Sequence, residues 1–289
     1  MGTHSVPGSA AIEDKLKLKA QPVAIVTGGA SGIGRALCEQ LSAQGLTVVI
    51  ADINRAGAEQ TAIAIQKQGG AAEPAWLDVS RECEVQKLVS DVVGRHGALH
   101  YMFNNAAVAA VGELRDGNMA DFRRVVDVNL FGVVQGTMAA YQVMARQGFG
   151  HIVNTASMVG LMPTPLLSAY STTKWAIIGF STTVRLEAAA LGVKVSVACP
   201  GLVRTNMGET NMYWNVRKED HLAQLPLRWA IESSAAARGI LRGVARNQDM
   251  IVFPFSSRAA WWVYRLCPAL FTPMFRHMLN RYRPLRITK

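Results

Sequence analysis

Val23-Ala24-Ile25-Val26-Thr27-Gly28-Gly29-Ala30-Ser31-Gly32-Ile33-Gly34 is the stretch on which the fold turns. Its first five residues read as a buried strand, and an apolar periodicity of helical type begins at Ile33. Glycines at 28, 32 and 34 lie between the two. Such glycines permit a tight turn and let backbone N–H groups approach a pyrophosphate at a helix N-terminus. Thr27, Gly28, Ser31, Gly32, Ile33 and Gly34 are therefore candidates for holding a dinucleotide, the alternative being a turn that serves packing alone.

Outward from this turn, short β-branched runs alternate with helical patterns, as in βαβ units around a parallel sheet. The clearest strands are 23–27, 47–51, 100–104, 151–155 and 194–198, with weaker candidates at 75–77 and 250–253. Helices are expected from Ile33 to Gln44 and from Ala169 to Leu191, the second stopping at Gly192. The fold class is α/β: a Rossmann-like doubly wound parallel sheet of about seven strands with helices on both faces. We expect a leader over 1–20, a dinucleotide-binding catalytic domain over 21–255 and a basic aromatic extension over 256–289. Within the domain, 202–229 lacks clean periodicity and reads as a mobile flap.

Half of the 289 residues are hydrophobic and 17% are charged, which excludes disorder for most of the chain. So low a charge points to further apolar contact surface, in a homodimer or homotetramer or against a membrane. Cys38, Cys83, Cys199 and Cys267 lie far apart without metal-ligand spacing and read as core thiols of a cytoplasmic protein, with no metal expected. No secretory pattern opens the chain, and no apolar run reaches the ~18 residues that span a bilayer. The net charge of +10 is concentrated at one end: seven cations and no acid lie from Ile251 to Lys289, leaving +3 for the rest.

Eighteen residues past Gly34, Asp52 closes the second strand, where a carboxylate can accept from adenosine ribose hydroxyls and would repel a 2′-phosphate. NAD is the favoured cofactor. NADP is the alternative, because Arg35 and Arg55 are near, and a strand-end Asp can also cap a turn. Asp78, with Val79 beside it, could meet the adenine amino group or cap the next helix. Tyr170 and Lys174 are four apart on an expected helix and share a face. A free phenol has a pKa of about 10, so exchanging its proton near neutrality requires an adjacent cation to favour the phenolate. Ser157, just past a strand, can hold a carbonyl oxygen. Asn129 falls within a helical pattern that it suits poorly, so a buried hydrogen-bonding duty or a bend in the helix would account for it.

Taken in order, the Gly28/Gly32/Gly34 turn, Asn104-Asn105-Ala106-Ala107, Asn129, Ser157, Tyr170-Ser171-Thr172-Thr173-Lys174, and Pro200-Gly201 followed by Thr205 resemble the short-chain dehydrogenase/reductase family from about Pro22 to about Phe253. The resemblance implies that Tyr170 exchanges a proton with the substrate oxygen while Ser157 orients that oxygen. It also implies that Lys174 lowers the tyrosine pKa and binds the nicotinamide ribose, with Asn129 holding a water that extends the proton path. Asn105 and Ala106 would line the adenosine side, and Val203 and Thr205, past Pro200 and Gly201, would meet the carboxamide. Ala107 departs from the family, which usually has glycine there.

The expected reaction is hydride transfer between the cofactor and a secondary alcohol or ketone, with a dinucleotide-sensing or scaffold protein of the same fold as the rival. Apolar residues between Ser157 and Tyr170, Val159 among them, and Met207, Tyr213 and Trp214 of the flap could close over a hydrophobic small molecule; equally, they could pack a subunit interface. The tail interleaves Trp261, Trp262, Tyr264, Phe271 and Phe275 with arginines, as membrane-surface segments do, although Pro268 and Pro273 forbid one continuous helix. Packing on the domain or on a partner subunit is the other reading. Nucleic acid is not expected, because the charge is confined to the tail and no recognition motif accompanies it.

Overall fold

In the computed structural model, residues 21–288 are described; the expected leader over 1–20 lies outside them. Strands β1 (Val23–Thr27), β2 (Thr47–Asp52), β3 (Ala71–Trp76), β4 (Tyr101–Asn104), β6 (Gly150–Thr155), β7 (Val193–Pro200) and β11 (Met250–Phe253) form one sheet in the order β11-β7-β6-β4-β1-β2-β3. Every pairing in it is parallel. Helices cover both faces, which is why β1 is buried at all five positions. Along β1 the side chains alternate between two cores. Ala24 and Val26 pack with α1 (Gly32–Ala43), α2 (Arg55–Lys67) and α9 (Ser233–Ala245), whereas Val23 and Ile25 pack with α3 (Glu82–His96), α5 (Gly132–Gln147) and α6 (Ser168–Ala188).

The expected doubly wound sheet is present, with one strand displaced. β3 runs from Ala71 to Trp76 rather than over 75–77. It contains Pro74, which is tolerated because β3 is the sheet edge and one side of it needs no donor. Helix α6 continues through a 3-10 turn (Ala189–Leu191) to Gly192, whose φ of 72° is left-handed. The helical pattern around Asn129 is interrupted by a π-helical turn, Asp127–Phe131, between α4 (Met119–Val126) and α5. The cysteines need a correction: Cys38 and Cys199 are buried, but Cys83 and Cys267 are exposed. Cys83 lies in the first turn of α3 and Cys267 at the C-cap of the tail's first helix, neither of which faces the core.

The flap region holds short elements rather than bare loop. These are β8 (Val203–Arg204), α7 (Met207–Thr210), β9 (Met212–Tyr213) and α8 (Lys218–Gln224). β8 pairs with β10 (Ile231–Glu232), and β9 with β5 (Ala110–Val111). The tail forms α10 (Phe255–Leu266), a 3-10 turn at Pro268–Phe271 and α11 (Thr272–Tyr282), so Pro268 and Pro273 divide it as expected. Among the described residues, no helix is long and apolar enough to cross a membrane.

Candidate active site

The strand order reverses between β1 and β4, and the candidate residues gather past the carboxyl ends of the strands around that point, where a doubly wound sheet opens its ligand crevice. Gly28 and Gly32 have φ of 68° and 53°, which other residues rarely adopt. At Gly34 the reason is space: a Cβ would lie 2.0 Å from the Gly28 carbonyl oxygen. The turn is tied down from several sides. Ala30 N–H donates to Asp52 Oδ2 at 2.9 Å, and Thr27 Oγ1 accepts from Asn105 N–H (2.9 Å) and Ala106 N–H (3.1 Å). Asn105 returns a bond from Nδ2 to the Thr27 carbonyl at 3.1 Å.

No side chain caps the first turn of α1 at Ser31, and that turn has no acid, whereas α2 is capped by Asn54 and the first turn of α3 carries Glu82 and Glu84. The N–H groups of α1 thus remain available to phosphate oxygens, and these residues fit a dinucleotide. Thr205 closes this side, with its methyl 3.2 Å from where a Gly32 Cβ would stand. Asp78 turns inward on its own loop: Oδ1 accepts from Ser80 N–H at 3.0 Å and Ser80 Oγ at 2.7 Å, just ahead of α3. Val79 is buried against Gly132. Pro200 ends β7, and Gly201 N–H bonds to the Phe253 carbonyl at 2.8 Å, bringing Pro254 and Ser257 beside Gly201.

Tyr170 and Lys174 lie one turn apart on α6. Lys174 is 1% exposed, and its Nζ donates to the Thr155 carbonyl at 2.8 Å while lying 5.3 Å from the centroid of the Tyr170 ring. Burial lowers the Lys174 pKa to about 7, with Cys199 acting weakly in the other direction. Burial around the phenol pushes Tyr170 up to about 12, opposed by a hydrogen bond from Ser157. Ser157 stands at the end of β6, where its hydroxyl also accepts from Val159 N–H at 3.2 Å. Asn129 is fully buried; its amide donates to the Val108 carbonyl and accepts from Val108 N–H, both at 2.8 Å, and Nδ2 reaches Thr173 Oγ1 at 3.3 Å. The π turn and the buried hydrogen-bonding duty occur together there, since the turn faces Asn129 toward the Val108 backbone.

On the substrate side, Val159, Met207 and Tyr213 keep partial exposure, and the Tyr213 hydroxyl donates to the Gly208 carbonyl at 2.6 Å. Trp214 is used differently. It is 3% exposed among Ala110, Val125 and Ala169, and its indole N–H donates to Asp121 Oδ2 at 2.9 Å, which pins the flap to α4. Beside it, the far end of the chain grips both flap and body. Arg286 forks onto Asp116 at 2.7 and 2.8 Å, Arg283 reaches Glu113 at 3.1 Å, and Asn215 exchanges bonds with Thr288. This contact holds the Asp116 carboxyl below the usual carboxylate range. The tail also walls the Ser157 side: Trp261, Tyr264, Phe271 and Phe275 pack on a cluster that includes Ala156, Leu161 and Met162.

Several of these partners were absent from the sequence reading. The Thr155 carbonyl is a backbone group and carries no residue signature. Asp116, Asn215 and Arg286 are ordinary surface types until folding joins them. A buried network of Asn104, Thr137, Asn154 and Ser181 beneath the crevice was also missed, although Asn within two strand patterns is a signal that could have found it.

Comparison with known proteins agrees with this geometry. The sequence profile of the family described as short chain dehydrogenase matches residues 22–215. The oxidoreductase SadH of Mycobacterium tuberculosis is 33% identical over 241 residues, covering 82% of this chain and 87% of SadH. Estradiol 17-beta-dehydrogenase 11 of Mus musculus is 28% identical over 280 residues, covering 93% of this chain and 87% of its own. Among solved structures, a short chain dehydrogenase/reductase from Burkholderia phymatum in complex with NAD superposes with a TM-score of 0.80 at 27% identity, covering 86% of this chain and 95% of that one. With the profile spanning most of the sheet and the relatives aligned nearly end to end, the chain belongs to the short-chain dehydrogenase/reductase family and is a nicotinamide-dependent oxidoreductase that transfers hydride to or from small organic substrates.

Proposed function

We propose that the chain interconverts a secondary alcohol and its ketone on an apolar substrate, with NAD as the preferred cofactor. The observation that carries the reading is Lys174, a fully buried amine one helical turn from Tyr170, with its Nζ 5.3 Å from the phenol ring and Ser157 opposing the rise in the phenol's pKa. A lysine is retained in such surroundings only for a partner that uses its charge. When bound, the nicotinamide supplies or accepts the hydride. Tyr170 gives or takes the proton at the substrate oxygen, and Ser157 donates to that oxygen and fixes its position. Lys174 would hold the ribose hydroxyls and, in its charged form, would favour the phenolate as Tyr170 loses its proton, against the burial that raises the Tyr170 pKa in the ligand-free protein. Asn129 has its side chain committed to Val108 and Thr173, so it serves the proton path through the main chain it positions.

Asp52 supports the choice of NAD. Its carboxylate is fixed at the end of β2 by Ala30 N–H and Asn54 N–H, and Arg35 is paired with Glu39 rather than turned toward a 2′-phosphate. The apolar cluster around Ala156, Leu161 and Met162 supports a hydrophobic substrate, with Val159, Met207 and Tyr213 as its contacts and Trp214 as the pin of the flap. We read 21–255 as the catalytic domain, 202–229 as its flap and 256–289 as a basic aromatic extension.

Tyr170→Phe is expected to lower kcat by about 10²- to 10⁴-fold, the usual contribution of a positioned acid or base, while cofactor affinity by titration stays close to that of the parent. Persistent turnover would remove the proton role. Steady-state kinetics with NADH and NADPH should show a clear preference for NADH, and Asp52→Ala should erode it; a preference for NADPH in the parent overturns the role given to Asp52.

A further inference from the structure

We propose that α10 is a docking surface for an anionic phospholipid bilayer, with the helix lying flat on the headgroups. α10 has two apolar faces, of which the domain uses one. Ser257, Ala260, Trp261 and Tyr264 follow helical spacing and turn inward, and Trp261 and Tyr264 pack on the sheet-side cluster. The opposite stripe, Phe255, Arg258, Ala259, Trp262 and Leu266, follows the same spacing and faces outward. Phe255 is 75%, Trp262 50% and Leu266 81% exposed, and Leu270 in the next turn and Met274 in α11 are exposed as well. Scattered exposed apolar residues need no explanation, but a continuous stripe on one helix does.

Charge decides what covers it. Arg283 and Arg286 are paired with carboxylates of the body, whereas among the described residues Arg258, Arg265, Arg276 and Arg281 have no carboxylate partner. Arg258 and Arg265 edge the stripe, with their guanidinium groups 5.6 Å from the Phe255 ring and 5.7 Å from the Trp262 ring. A second copy of the chain placed on this face about a two-fold axis would set arginines against arginines, because no acid occurs from Ile251 onward. Anionic headgroups complement that charge, Trp favours the headgroup level, and a helix of this length spans about 18 Å along the surface without crossing it. The proposal is independent of the catalytic assignment, since the outward stripe touches none of the crevice residues.

The test is co-sedimentation of the full chain with vesicles of phosphatidylcholine alone or of phosphatidylcholine with phosphatidylglycerol. The parent is expected to sediment with the anionic vesicles and to be released by high salt. Arg258→Gln with Arg265→Gln should weaken partitioning by about fivefold for each arginine. Trp262→Glu with Leu266→Glu should abolish it, while NADH binding and turnover of a soluble substrate remain at parental level. Equal partitioning of the parent on both vesicle types, or no partitioning at all, overturns the proposal. So does a fall in oligomer size by sedimentation velocity in the Trp262/Leu266 variant without any effect on vesicles, which would make the stripe a subunit contact.

Discussion

The glycine turn and the flap border the same crevice but are built in opposite ways. The turn owes its shape to backbone: left-handed glycines, a position without room for a Cβ, and main-chain donors bonded to residues of neighbouring strands. The flap owes its position to partners distant in sequence, with β8 and β9 paired to β10 and β5, Trp214 held by Asp121 and Asn215 by Thr288. Backbone geometry is written in residues that are close together in sequence. A surface joined by partners distant in sequence has no such local record.

The contrast can be broken first at the turn. Gly34→Val places a branched side chain on the Gly28 carbonyl; it is expected to cost about 1–3 kcal/mol or more of stability and to remove cofactor binding, read by thermal melts and NADH titration. Ordinary affinity in that variant would show that the turn tolerates movement. At the flap, Arg286→Ala should raise KM for the substrate several-fold and leave the cofactor Kd unchanged, because Asp116 loses its fork but the turn loses nothing. Equal losses in both constants would mean that the two regions are not separable.

A pH-dependent effect tests the crevice that both regions border. Lys174 has a folded pKa of about 7 against an ordinary 10.5, so above pH 7 the folded chain sheds a proton that the unfolded chain retains. Stability assigned to this group is therefore lowest below pH 7 and rises toward pH 10. In the ligand-free protein, melts from pH 7 to 9 should show a gain for the parent relative to Lys174→Met. Parallel curves would place the Lys174 charge in better-solvated surroundings.

Much of this was legible in the sequence, for reasons that differ by residue. Strands β1, β2 and β4 were found because their burial on both faces leaves nearly unbroken apolar runs. The places of Asp52, Tyr170 and Lys174 were legible because strand ends and one-turn helical spacing translate directly into position. β3 was displaced because Pro74 interrupts a run that edge geometry tolerates, and 202–229 shows no clean periodicity because its short elements pair with β5 and β10, which are distant in sequence. The tail was read in two ways, and α10 explains why: it carries one face for the domain and another that the domain leaves uncovered.

The grip of Arg283 and Arg286 on Glu113 and Asp116 joins positions 170 apart along the chain. Contacts of that separation form late in folding, and a terminal segment held largely by exposed polar contacts opens before the buried sheet does. A population with this grip released would retain the sheet, the glycine turn and a full complement of bound dinucleotide while its catalytic cleft stood open. Saturation with cofactor would therefore count folded nucleotide sites, whereas amide exchange at Arg286 and Ile287, whose N–H groups are bonded to Arg283 and Asn215, would count the molecules with the grip closed.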